Sequence, residues 1–190
     1  MKERIIQHAG EEIGRYGFRK FTIDGIAEAM GISKKTVYKF FKGKREIVSA
    51  VVDDYIKSER AATIEAFQDR KSKSWLDRLN AVFFLYSEYK IPLWLLGELQ
   101  RFFPEEWAKV EEFRRFKKEL VYSLLEQGAK TGEINSCLHP DVITSVLDKS
   151  LDNLLDLNFL QKHEMTAHQL VEQVRDIFVF GILARTGGGA

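Results

Sequence analysis

The side chains best suited to binding chemistry lie in residues 31–47, GISKKTVYKFFKGKREI, where lysines are interleaved with tyrosine and phenylalanine. Lysine ammonium groups attract phosphates, and hydroxyl and aromatic groups can contact a nucleic-acid backbone or base. The segment therefore has two interpretations. It is either an ordinary solvated lysine face on a protein surface, or a surface that binds a polyanion.

Helical geometry separates this segment into an apolar side and a basic side. At about 100° per residue, Val37, Phe40 and Phe41 fall together and are predicted to face inward. The remaining side then carries the polar side chains that could touch a ligand, namely Lys34, Lys35, Thr36, Tyr38, Lys39 and Lys42.

The surroundings of this short helix favour the binding interpretation. Thr22 can cap a preceding helix that ends at Gly31, and Ser33 can cap the basic helix itself. Two short helices joined by the tight turn Gly31-Ile32-Ser33 form the helix-turn-helix arrangement, which presents its second helix to the major groove of DNA. Lys44 begins the next helix, where free backbone amides also favour a phosphate.

The charge distribution agrees with this division of the chain. Net charge is only +1, but residues 1–50 carry 11 Lys and Arg against 6 Asp and Glu, while the rest carries 18 against 22. The basic end is therefore the part expected to bind a polyanion. With 45% apolar residues the chain should fold, and no apolar run is long enough to cross a bilayer, so a cytoplasmic location is expected.

The fold class predicted for the whole chain is all-α. Only three prolines occur and no stretch alternates in the manner of a strand. Helix one is predicted over residues 2–16, with Ile5, Ala9, Ile13 and Tyr16 buried, and should close at Gly17. A polar linker is expected at 69–74. The other helices are predicted near residues 22–31, 33–42, 44–67, 75–89, 92–102, 105–130, 141–162 and 166–183.

Residues 17–47, GFRKFTIDGIAEAMGISKKTVYKFFKGKREI, resemble the DNA-binding domain of the TetR family of bacterial transcriptional regulators. The ordered matching positions are Gly17-Phe18, Thr22, Ile26-Ala27, Gly31-Ile32-Ser33, Thr36-Val37-Tyr38, Phe41, Lys44 and Ile47. Gly43 and Arg45 depart from the family pattern, which leaves the phosphate contacts at this helix start less defined. The helical remainder fits the family but adds no motif.

The resemblance implies two domains and a mode of action. Residues 1–50 would be the helix-turn-helix domain, and residues 51–190 a helical domain for ligand binding and dimerisation. A homodimer would bind a palindromic operator as a repressor, released by a small molecule. By position, Lys34, Lys35, Thr36 and Lys39 would approach base edges, while Thr22, Ser33, Tyr38 and Lys44 would hold phosphates.

The second half supplies candidates for a dimer interface and for a ligand pocket. Two apolar helices resemble the family's interface pair and present Leu147, Leu151, Leu154, Leu155, Leu170, Val174, Ile177, Phe178 and Gly181. An unusually aromatic stretch could line a cavity for an apolar or aromatic ligand with Phe83, Tyr86, Trp94, Phe103 and Trp107. Packing within the chain's own core is the alternative for both sets.

Two other classes of function fit the sequence less well. An enzyme is not expected, because Glu98, Glu105 and Glu106 have no evident catalytic partner, and neither a cofactor nor a metal site is indicated. Cys137 and the scattered histidines form no ligand cluster. A DNA-binding scaffold of the same fold that acts through a protein partner, without a small-molecule inducer, remains as the alternative.

Overall fold

The computed structural model describes residues 1–69, 74–83, 92–154 and 156–183. Within these ranges the chain is built from helices, and the all-α prediction is confirmed. The helices are α1 (Lys2–Lys20), α2 (Ile23–Ala29), α3 (Lys34–Tyr38), α4 (Lys44–Gln68), α5 (Trp75–Phe83), α6 (Leu93–Phe102), α7 (Pro104–Thr131), α8 (Pro140–Leu154), α9 (Leu157–Lys162) and α10 (Ala167–Ile182). Most of the predicted linker, residues 70–73, lies outside the described ranges.

The chain divides into two compact units. The first contains Met1–Arg60 and Trp94–Phe113, and the second contains Ala61–Leu93 and Arg114–Ala190. The N-terminal helices thus share a unit with α6 and the first part of α7. The functional division at residue 50 stays a prediction.

Helix α1 breaks at Gly17, whose φ of 90° and ψ of 164° suit only glycine. The break was predicted, but the chain resumes helical geometry as far as Lys20. Tyr16 was predicted to be buried, and this was wrong, because its side chain is 53% exposed. Phe18 and Phe21, which follow the break, occupy the core at this end of α1 instead.

The core of the second unit surrounds a buried tryptophan. Trp75 of α5 packs with residues of α7, α8 and α10, and its indole N–H donates to the Leu124 carbonyl. Arg78, one turn along α5, is only 3% exposed. Its guanidinium donates to Phe67 O at 3.3 Å and to Gln127 Oε1 at 3.0 Å, which places a positive charge at the carboxyl end of α4.

The C-terminal helices differ from the prediction at one point. A single helix over 141–162 was expected, and this was wrong, because α8 ends at Leu154 and α9 begins at Leu157. Asp156 caps α9, since its Oδ1 accepts hydrogen bonds from the amides of Asn158 (2.9 Å) and Phe159 (3.1 Å). Because the apolar periodicity of the sequence continues past Asp156, it did not reveal that this aspartate favours a helix cap over a position inside a helix.

A helix was predicted from Thr166, and α10 begins one residue later, with Thr166 as its N-cap in a capping box with Gln169. None of the helices formed by the described residues has both the length and the hydropathy needed to span a bilayer.

The contact between Gly128 and Trp75 gives a stability prediction. A Cβ at Gly128 would lie 2.5 Å from two indole carbons of Trp75, so Gly128→Ala should lower the free energy of unfolding by about 1–3 kcal/mol. Gly97→Ala on α6 is the control: a Cβ there meets nothing within 4 Å and should stabilise by about 0.5–1 kcal/mol. Urea unfolding followed by tryptophan fluorescence measures both, and equal midpoints would contradict the predicted clash.

Candidate nucleic-acid interface

Helix α2 is fixed at both ends by local hydrogen bonds. The hydroxyl oxygen of Thr22 accepts from the Gly25 amide at 3.0 Å, which leaves its O–H free to donate to a phosphate. At the other end Gly31 adopts a φ of 62°. The amides of Gly31 and Ile32 donate back to Glu28 O (3.0 Å) and Ala27 O (2.9 Å), the pattern of a glycine-closed helix end.

Helix α3 has only five residues and is held in place by a cap and by burial. Ser33 Oγ accepts from the Thr36 amide at 3.1 Å and shares a second hydrogen bond, 2.9 Å long, with the Thr36 hydroxyl. Val37 and Phe41 are fully buried. The Gly31 turn and these two anchors fix the direction in which α3 presents its outer side.

The outer side of α3 carries the predicted basic residues. Lys34, Lys35, Tyr38 and Lys39 are exposed, and Thr36 is half-buried. Phe40 was predicted to face inward, and this was wrong: it is 37% exposed. The helix ends at Tyr38, so the regular spacing that would carry position 40 back to the core stops before it.

One of the four predicted base-contacting residues is already in an ion pair. Lys34 Nζ lies 2.8 Å from Asp24 Oδ1 on α2, and both side chains are largely exposed. The hydrogen bond and the charge of Asp24 raise the pKa of Lys34 above its usual range. Asp24 therefore places a negative charge on the side of the domain that is predicted to face DNA.

Lys44 has a structural role that its position in the sequence did not reveal. Its Nζ donates to Arg19 O and to Phe21 O, each at 2.8 Å, and lies 4.6 Å from the centre of the Phe21 ring. Burial lowers the pKa of Lys44. Since an ammonium has three N–H donors, one remains for a phosphate, and that contact stays a prediction.

The predicted pocket residues do not all fall in one unit. Trp94, Phe103 and Trp107 belong to the first unit, where Phe103 is buried and its ring centre lies 5.6 Å from that of Phe18. The side chain of Phe83 and all of Tyr86 lie outside the described residues. A ligand pocket formed by this set stays a prediction.

The predicted interface residues lie on different sides of their helices. Leu147, Leu151, Leu170 and Val174 form a buried cluster within the chain itself, joined by the half-buried Leu154 and Phe178. Leu155 lies outside the described residues, whereas Ile177 is 72% exposed and Gly181 is also exposed. Val142 and Val146 of α8 and Phe180 of α10, which were not among the predicted residues, are also exposed, Phe180 to 81%.

A short helix with outward lysines, set by a glycine turn against a capped partner helix, has the geometry of a helix-turn-helix DNA-binding motif. Residues 5–51 match the family model described as bacterial regulatory proteins, tetR family. The N-terminal domain of this chain is therefore similar to the DNA-binding domain of the tetR family of bacterial regulatory proteins.

Similar proteins extend the likeness beyond the N-terminal domain. The uncharacterised HTH-type transcriptional regulator YvaF of Bacillus subtilis strain 168 is 24% identical over 97% of this chain and 96% of its own length. A protein from Saccharomonospora viridis, solved with choline, has a TM-score of 0.77 at 17% identity, covering 97% of this chain and 98% of its own. The regulator FadR from Bacillus subtilis, solved with stearoyl-CoA, has a TM-score of 0.67 at 20% identity, covering 96% and 100%. At such identities the solved structures establish the fold alone.

The ion pair between Asp24 of α2 and Lys34 of α3 gives a prediction for DNA affinity. Asp24→Asn removes a charge that repels phosphates and releases Lys34, so duplex DNA should bind about two- to tenfold more tightly at low salt. Asp54→Asn, at an exposed position of α4, makes the same change in net charge away from Lys34 and is the control. Fluorescence anisotropy across a salt series measures the effect. A gain as large in the control would show that net charge alone is responsible.

Proposed function

We propose that this regulator is a repressor, not an enzyme, that binds a palindromic operator as a homodimer and is released by a small molecule. The observation that carries the proposal is the presentation of α3: Val37 of the helix and Phe41 just after it are buried, Ser33 caps the helix start, and the lysines therefore face outward. A dimer would place two such helices in successive major grooves, about 34–36 Å apart. The protein would act in the cytoplasm, where bacterial DNA lies.

The candidate residues form two groups according to the kind of DNA contact expected of them. Lys34, Lys35, Thr36 and Lys39 would approach base edges, because they project from α3. Thr22, Ser33, Tyr38 and Lys44 would contact phosphates, which set register without encoding sequence. Exposed Phe40 adds an apolar side chain beside these residues.

Base reading by α3 is tested by selecting bound duplexes from random sequence and repeating the selection with Lys35→Ala. The variant should lose about 1–3 kcal/mol on the wild-type operator and accept other bases at one position in each half-site. Lys57→Ala, which removes an exposed lysine of α4, should leave the selected sequence unchanged. A selected sequence identical for wild type and Lys35→Ala would remove Lys35 from the base-reading set.

The outer surfaces of α8 and α10 support the dimer. The two helices pack together through Leu147, Leu151, Leu170 and Val174. Their other sides still expose Val142, Val146, Ile177 and Phe180. Exposed apolar residues on both members of a packed pair suit a second copy of the same pair, related by a two-fold axis and forming a four-helix interface.

The dimer is tested by Phe180→Asp, which places a charge in the proposed interface at a position already exposed in the single chain. The variant should fold, sediment as a monomer at micromolar concentration, and lose at least about tenfold in operator affinity. Ile64→Asp changes another exposed apolar side chain, outside α8 and α10, and should remain a dimer. A monomeric wild-type protein under these conditions would contradict the proposal.

The releasing ligand is proposed to be apolar or aromatic in part. Support comes from the aromatic content of residues 75–107 and from a similar fold solved with stearoyl-CoA, whose acyl chain is apolar. A ligand that weakens operator binding must itself bind more weakly in the presence of operator, by the same factor. Calorimetric titration of stearoyl-CoA and of choline, with and without operator, measures this coupling. A regulator of the same fold that acts through a protein partner would show none with any small molecule.

A further inference from the structure

The break in α1 forms a turn that leads directly to the DNA-binding helices. After Gly17 the chain makes one short helical stretch, and Phe21 and Thr22 are then extended, with Thr22 capping α2. The side chains of Phe18 and Phe21 are buried. Residues 17–21, called the α1–α2 turn below, therefore set where α2 starts and how Thr22 is presented.

Helix α6 contacts the backbone of this turn through a carboxylate. Glu98 Oε2 accepts a hydrogen bond from the Arg19 amide at 3.4 Å. The same oxygen would lie 2.6 Å from a Cβ at Gly17, so it rests against a bare glycine Cα. Any side chain at position 17 would displace the carboxylate, because Trp94 of α6 closes the space at 2.9 Å.

A lysine of helix α4 also binds the backbone of the α1–α2 turn. Lys44 donates to the carbonyl of Arg19 and to that of Phe21, so both backbone groups of Arg19 are bound by charged side chains. Glu98 opposes the lowering of the Lys44 pKa by burial, which indicates an attraction between the two charges. The guanidinium of Arg19 also lies 4.9 Å from the ring centre of Phe102 on α6.

From these contacts we propose that Glu98 is a positioning residue for DNA binding, which acts by holding the α1–α2 turn and so the placement of Thr22 and α2. The inference rests on the proposed function. It assigns to a residue of α6 a role in operator binding that requires no contact with DNA. Glu98 is acidic, so its charge alone opposes DNA binding. A positioning role predicts the opposite sign for its removal.

The test compares two substitutions at position 98 with a control. Glu98→Ala removes the acceptor and should lower operator affinity about 3- to 30-fold, although the protein loses a negative charge. Glu98→Gln keeps an oxygen acceptor and should stay within about threefold of wild type. Glu105→Ala, an exposed acid of α7, should bind as tightly as wild type or slightly more tightly.

A second measurement does not depend on DNA. Hydrogen exchange of the Arg19 amide, followed by NMR, should be at least about tenfold faster in Glu98→Ala, while core amides such as that of Ile47 keep the wild-type rate. If the wild type binds no duplex DNA, the proposed function fails, and the exchange rates still report whether Glu98 holds the turn. If the wild type binds and Glu98→Ala binds equally well or better, or if Glu98→Gln is as weak as Glu98→Ala, the positioning role is wrong.

Discussion

The candidate DNA-binding surface depends on one physical constraint, which is the shortness of helix α3. A helix of five residues is not stable alone in water, where isolated helices need about 12–15 residues to become even marginally stable. Helix α3 is ordered because the Ser33 side chain accepts a hydrogen bond from the Thr36 amide and because Val37 and Phe41 are buried. The direction of its lysines is therefore a property of the hydrophobic core beneath it. Whatever holds that core and the turns around it also sets the interface.

Electrostatics in this domain are more specific than its lysine content indicates. Lys34 is paired with Asp24, and Lys44 is occupied by two carbonyls of the α1–α2 turn. Lys35 and Lys39 remain exposed on α3. The basic segment thus contains one lysine paired with a carboxylate, one lysine bound to backbone carbonyls, and others that face outward, so its residues differ in their electrostatic surroundings.

The C-terminal helices show how two apolar sides of one helix acquire different roles. In α10, Leu170 and Val174 bury against α8, whereas Ile177 and Phe180 remain on the outside. Leu170 and Val174 are already buried within the chain, whereas Ile177 and Phe180 are available to associate with another molecule. The apolar spacing along α10 alone does not distinguish the two pairs of residues, because the apolar side of the helix is wider than the area that α8 covers.

The sequence by itself determined the features that act over about four residues. These include the caps at Thr22 and Ser33, the break at Gly17, the turn at Gly31 and the all-helical class, because capping and backbone preference depend on near neighbours. Helical spacing also identified core residues inside regular helices, such as Ile5, Ile13 and Val37, whereas tertiary structure alone decided which distant groups meet. Phe40 lies outside because its helix ends at Tyr38, and Tyr16 lies outside because Phe18 and Phe21 fill the core at this end of α1. Lys44 meets a carbonyl 25 residues away and Glu98 an amide 79 residues away, contacts that exist only once the helices have packed.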